Sequence, residues 1–194
     1  MDRLGVGAER LHFLDLPDGE LSAHLVSLTA RLAALIRTIR PQTVLTPFRY
    51  DQHPDHLAVR RATVAAIADE GVTPGAMTLL EYFVYFRYPL LAEGDIRRVV
   101  ATEHLVEIDI EPVRVDKRAA LDAYVSQVTR YFPWQTRPVL TEAVLDEHAI
   151  GPECFVHAAA NLSPAELFQR DSMRLRINLL FGPALVRWKK HLLG

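Results

Sequence analysis

The stretch TVLTPFRYDQHPDHLAVRRATVAAI, residues 43–67, decides how this chain is read. Thr43 to Thr46 form a short strand, and Pro47 to Gln52 form a loop. A helix then begins near Pro54, because proline is favoured in a first helical turn, and it runs through Ala58, Val59, Ala62, Ala66 and Ile67. His53-Pro54-Asp55-His56 therefore falls where strand gives way to helix.

On the N-terminal side, Leu21, Leu25, Leu28, Leu32, Leu35 and Ile39 recur every three or four positions, which predicts a long amphipathic helix ended by Pro41. Before it, Arg10 to Leu16 is a short apolar run closed by Pro17, Asp18 and Gly19, the pattern of a buried strand entering a turn. Met1 to Val6 read as the tail of a helix stopped at Gly5 and Gly7. Strand, helix, strand, helix in this order implies a parallel sheet with crossover helices, and such sheets bind ligands beyond the carboxyl ends of their strands. Further along, strands are expected in Leu79 to Phe86 and in Val99 to Ile110, the latter interrupted at Glu103 and His104, and a helix over Arg114 to Arg130. Ala165 to Arg176 and Ala184 to Leu193 read as helices around Gly182 and Pro183.

Composition narrows the partners. With 194 residues, 49% of them hydrophobic, the chain can bury one core, and one domain is the working expectation. A formal charge of −2 gives no basic footprint for nucleic acid. The single cysteine, Cys154, permits neither an internal disulfide nor a Cys-rich zinc site, so a cytoplasmic location is the default. In GPECFV it reads as a small buried apolar residue. No segment approaches the roughly 20 apolar residues needed to span a bilayer. Arg174 to Leu193 mixes basic and apolar side chains, which fits a packing helix or a homo-oligomer contact, with a peripheral membrane contact as the minority reading.

The chemistry concentrates in the His-Pro-Asp-His stretch. Zinc takes imidazole nitrogen and carboxylate oxygen, and a catalytic zinc needs three protein ligands with a position left for water. His53 and His56, three apart, can face one cleft, and Asp55 can support an imidazole. The plainer account is a helix N-terminus with a favourable charge at Asp55 and a surface histidine. From the four residues alone the plainer account is preferred. Asp51 is equally readable as an orienting acid or as a turn residue. Tyr82, Phe83, Tyr85, Phe86 and Tyr88 fit a core strand better than a sugar platform.

The flanks shift the balance. LHFLDLPDGEL (Leu11 to Leu21), a long helix, VLTP followed by DQHPDH (Asp51 to His56), and DKRAALDAYVSQ (Asp116 to Gln127) together resemble, in content and order, the LmbE/PIG-L family of zinc-dependent de-N-acetylases. The resemblance implies a Rossmann-like α/β three-layer sandwich with a mainly parallel sheet, occupying residues 1–160, with 161–194 as a helical C-terminal extension of the same domain. It implies zinc as cofactor with His56 as a ligand. His53 would steady the oxyanion of a tetrahedral intermediate, Asp55 would tune that imidazole, and Asp18 would contact substrate hydroxyls. The substrate would be a small amino-sugar conjugate containing N-acetylglucosamine.

One departure qualifies this. Family members open with a strand and an AHPDDE-type motif that supplies two further zinc ligands and the general base, and this sequence has no such motif. His12 lies within an apolar run and His24 on a helix, so neither replaces it. The expectation is that Met1 is internal to a longer protein, that the first strand of the fold is missing, and that this chain alone lacks a full site. Two alternatives remain open: a related amidase acting on another amide of a glucosamine-like sugar, and a non-catalytic sugar-binding relative.

Overall fold

The computed structural model describes residues 2–51, 53–71, 76–84, 100–142, 145–146, 151–158 and 162–168. The chain divides into two compact units, one of Met1–Phe13 with Glu107–Glu153 and one of Leu14–Val106 with Cys154–Gly194.

In the second unit, a 3-10 turn at Leu21–His24 leads into helix α1, Leu25–Ile39. Leu28, Ala33 and Ile36 are its buried residues; of the stripe expected from the leucine periodicity only Leu28 is fully buried, Leu25, Leu32 and Leu35 are half-buried and Ile39 is exposed. The helix stops at Arg40, which takes a left-handed conformation (φ 50°, ψ 57°) and donates its backbone N–H to Ile36 O, one residue before Pro41. Strand β1 follows at Thr43–Pro47, then helix α2 at Pro54–Asp69 and strand β2 at Thr78–Tyr82. β1 and β2 pair in parallel, from Thr43 opposite Thr78 to Pro47 opposite Tyr82, so this is the expected crossover unit.

The sheet as a whole departs from expectation. Strands β3 (Leu105–Ile108) and β4 (Glu153–His157) complete an order β1-β2-β4-β3, with β4 antiparallel to β2. It is a four-stranded mixed sheet rather than a mainly parallel one. Glu153 to His157 lies where the sequence offers little periodicity to read.

Arg10 to Leu16, expected as a strand, is not one. Ala8–Arg10 form a 3-10 turn and the residues after it pair with no strand among those described. The run cannot stay extended, because Asp15 is left-handed (φ 48°), and Phe13 is 81% exposed. The Leu14 carbonyl is instead taken by the Arg31 guanidinium of α1.

The core of this unit has two clusters. Phe48, Val100, Val156, Leu167 and Phe168 form one, with Tyr50, Phe83, Leu105, Cys154 and Leu162 packed against it. Phe48 centres its aromatic contacts, with ring centroids 4.8 Å from Phe83 and 5.7 Å from Tyr50. Ala33, Ile36 and Ala66 form the other, where α1 meets α2. The buried face of α2 is made of Ala58, Ala62, Thr63 and Ala66, so close approach rests on methyl-sized side chains. The Thr46 hydroxyl of β1 lies 3.4 Å from that of Thr63, which donates to Val59 O.

In the first unit, the helix expected over Arg114 to Arg130 is broken into α3, Arg114–Asp122, and α4, Val125–Val128, with Tyr124 out of helical conformation between them. Asp2–Leu4 form a 3-10 turn against α3, closed by left-handed Gly5, where a helix tail was expected. In the second unit, a four-residue helix at Pro164–Leu167 begins with a reciprocal cap: Ser163 N donates to Glu166 Oε2 (2.8 Å) and Glu166 N to Ser163 Oγ (3.4 Å). The remainder of the helix expected to Arg176, the one at Ala184 to Leu193, and Tyr85, Phe86 and Tyr88 of the aromatic run lie outside the described residues.

Candidate functional site

The carboxyl ends of β1 and β2 lie together, with Pro47 opposite Tyr82 and Phe48 N donating to Tyr82 O. The loop from Phe48 to His53 leaves this edge and turns at once, Asp51 N donating to Phe48 O at 2.9 Å. His53 is the N-cap of α2, with extended backbone (φ −89°, ψ 128°), and its side-chain Nδ1 accepts from Asp55 N at 3.2 Å. It thus satisfies one of the helix-terminal N–H groups that lack an intrahelical partner, a task more often given to Ser, Thr, Asp or Asn. Pro54 occupies the first helical turn.

Two carboxylates serve this helix start, and they serve different partners. Asp51 is 2% exposed. Its Oδ1 accepts from His53 N at 2.8 Å and lies 3.0 Å from His56 Nδ1. Asp55 is 5% exposed and reaches 34 to 36 residues back: Oδ2 accepts from Gly19 N at 2.5 Å and Oδ1 from Leu21 N at 3.1 Å. Gly19 has φ 82°, a conformation that suits glycine, in the turn that follows Asp18. Asp55, read from sequence as the support of an imidazole, thus holds the Pro17–Asp18–Gly19 turn against the start of α2. The carboxylate that stands beside an imidazole is that of Asp51.

The structure brings His53 and His56 together, with ring centroids 4.8 Å apart and planes inclined by 40°. The His56 side chain keeps 24% exposure. Asp18 is exposed on its turn, adjacent in sequence to the Gly19 amide that Asp55 holds. Tyr82, at the end of β2, feels the same centre: burial first and the Asp51 carboxylate second push its phenol above the ordinary tyrosine range.

A second layer lies beneath. Glu81 of β2 is fully buried and accepts from Arg49 N and Nε at 3.2 and 3.0 Å and from Arg60 Nε at 3.0 Å. Arg49 belongs to the Phe48–His53 loop and Arg60 to α2, so one carboxylate ties the loop, the helix and the strand that form the site. Burial also raises the neighbouring Tyr50 phenol, Arg49 and Arg60 pull it back, and Glu81 adds to the rise. Sequence reasoning missed this layer. The signal was an acid inside the apolar run LLEYFVYF, which a buried strand tolerates only when the charge is paired.

Among the described residues no group of three or more His, Cys, Asp and Glu side chains is placed to hold a metal ion. The donor set does suit one contribution. The Asp51 carboxylate, 3.0 Å from His56 Nδ1, is the kind of neighbour that supports a ligating imidazole. The described residues therefore fit one ligand of a zinc site and not a whole one. Among them, no helix is long and apolar enough to cross a membrane.

Residues 1–67 match a family model described as PIG-L, GlcNAc-PI de-N-acetylase. No curated protein matches the chain. Among solved structures, the zinc-inhibited form of the teicoplanin deacetylase Orf2 is similar, at 16% identity and a TM-score of 0.48, over 80% of this chain and 61% of that one. The chain thus spans about three fifths of that structure's length.

Proposed function

We propose that this chain, whose residues 1–67 match the PIG-L family model, forms part of a zinc-dependent hydrolase that removes the N-acetyl group from an N-acetylglucosamine-containing small molecule or conjugate. The observation that carries the reading is the start of α2, where His53 and His56 stand side by side at the carboxyl edge of the sheet with a buried carboxylate behind them.

Each residue has a task in this reading. His56 contributes one zinc ligand, and the other ligands come from outside the described residues. When bound, zinc would polarise the amide carbonyl and make a water acidic enough to attack it. His53, held by its own cap bond, offers its remaining ring nitrogen to the oxygen on which negative charge develops, a contribution of about 3 kcal/mol where such donors have been removed. Asp18 meets sugar hydroxyls from the turn that Asp55 pins.

The test is acetate release from N-acetylglucosaminides, together with zinc content, for the protein and for His56→Ala. Loss of both in the variant is the expected result. A variant that keeps metal and rate removes His56 from the site. Sugar binding without acetate release in the presence of zinc favours a non-catalytic sugar-binding protein, and faster release of a different acyl group favours the related amidase.

A further inference from the structure

We propose that Asp55 is a positioning residue for sugar binding, acting through Asp18, and takes no part in holding the metal. The inference rests on the reading of Asp18 as the residue that meets sugar hydroxyls, and it gives the carboxylate between the two histidines a task separate from theirs.

The link runs through one peptide group. Pro17 to Glu20 form a turn closed by Glu20 N donating to Pro17 O at 3.4 Å, and the Asp18–Gly19 peptide is at its centre. Asp55 Oδ2 accepts the N–H of that peptide at 2.5 Å, and Oδ1 accepts from Leu21 N at 3.1 Å, just beyond the turn. Because the peptide is planar, fixing its N–H fixes the plane that contains the Asp18 Cα and carbonyl, and so limits the directions in which the exposed Asp18 side chain can leave the backbone. Gly19, at φ 82°, lets the chain turn there without strain.

Side chains rather than a sheet hold this segment. Residues 11–17 pair with no strand among those described, the Arg31 guanidinium takes Leu14 O ahead of the turn, and the buried Asp55 carboxylate takes the turn itself. Its separation from the metal chemistry follows from the same bonds. Both Asp55 oxygens are engaged by amides 36 and 34 residues back, and the carboxylate 3.0 Å from His56 Nδ1 is that of Asp51. The hydrogen bond that His53 accepts comes from the Asp55 backbone, which truncation of the side chain does not remove. Asp55→Ala therefore frees the turn and leaves both imidazoles their neighbours.

Titration with methyl glucosaminide in the presence of zinc tests this, since that sugar keeps its hydroxyls and has no acetyl group to lose. Asp55→Ala should weaken its binding about tenfold, the scale on which one residue's backbone must be ordered again, and should leave zinc affinity unchanged. Asp55→Asn, which keeps one acceptor oxygen, should fall between. Asp18→Ala should weaken binding too, and adding Asp55→Ala to it should weaken it no further, because the turn then has no side chain left to aim. Hydrogen exchange at the Gly19 amide should be slow in wild type and fast in Asp55→Ala, which reports the clamp itself. The proposal is overturned by unchanged sugar affinity in Asp55→Ala, by a fall in zinc affinity as large as the fall in sugar affinity, or by additive effects in the double variant. If Asp55→Ala fails to fold, Asp55→Asn is held to the same three criteria. A wild type that binds methyl glucosaminide but releases no acetate from N-acetylglucosaminides sinks the hydrolase reading alone. Hydrolysis with the Asp55 effect absent sinks this inference alone, and a wild type with no affinity for the sugar overturns both.

Discussion

Glu81 and Arg118 each stand at the centre of a cluster of guanidinium and carboxylate groups, one in each compact unit, and what separates them is water. Glu81 has no exposed surface, and its partners Arg49 and Arg60 keep only 8% and 19% of theirs. Arg118 keeps 28%, and its partners Asp122, Glu142 and Asp146 are all more than half exposed. The Arg118 guanidinium is pushed further up, chiefly by its bond to Glu142 and then by that to Asp122, but arginine is charged at neutral pH regardless. Charge pairs in water therefore add little, whereas those of Glu81 in a dry interior are costly to break and tie down the loop that carries Asp51 and His53.

Glu81→Ala is the sharpest way to probe that contrast. It leaves two buried guanidinium groups facing an empty place, and a loss of about 3–5 kcal/mol is expected in urea unfolding. Replacing Glu81, Arg49 and Arg60 together by apolar residues of similar volume should recover most of it. If Glu81→Ala unfolds at the wild-type midpoint, the cluster holds nothing. Arg118→Ala should act far more weakly, shifting the thermal midpoint slightly at low salt and not at all at high salt, where exposed charges are screened. A large shift that persists in salt would erase the distinction.

The smallest effect should come from the exposed pair Arg37–Glu70, which ties the end of α1 to the cap of α2. The Arg37 hydrogen bond holds the Glu70 carboxyl below its ordinary range. A lowered folded value means that the pair stabilises above the unfolded carboxyl's pKa and loses that contribution as pH falls through the folded one. Acid titration of the midpoint should show this loss in wild type and not in Glu70→Gln. Equal acid sensitivity in both would remove the pair from the account.

The same contrast explains what could be read in advance. α1, β1 and α2 were legible because periodicity, Pro41 and Pro54 are local signals, and the placement of the two histidines at the helix start followed from them. The partners of the carboxylates were not legible. Asp55 bonds to backbone amides at Gly19 and Leu21, and amides carry no residue signature. Asp51 read equally as an orienting acid or a turn residue, because its neighbour is set by how α2 begins. The run from Arg10 to Leu16 misled for the opposite reason: its apolar pattern was sound, but a strand also needs a partner, and Asp15 bends the chain out of extension. The antiparallel seat of β4 depends on pairing with β2 across more than seventy residues, which no local pattern encodes.

The shaft of α2 meets its surroundings through Ala58, Ala62 and Ala66, and side chains that short have no rotamers with which to yield. An extra methylene there, at about 1–3 kcal/mol of crowding, must be absorbed by sliding the whole rod. Since the histidines ride on its tip, the gap between them and the sheet becomes a question of volume deep in the dry interior. Alanine, the least reactive of side chains, is in this sense the gauge block against which the reactive ones are set.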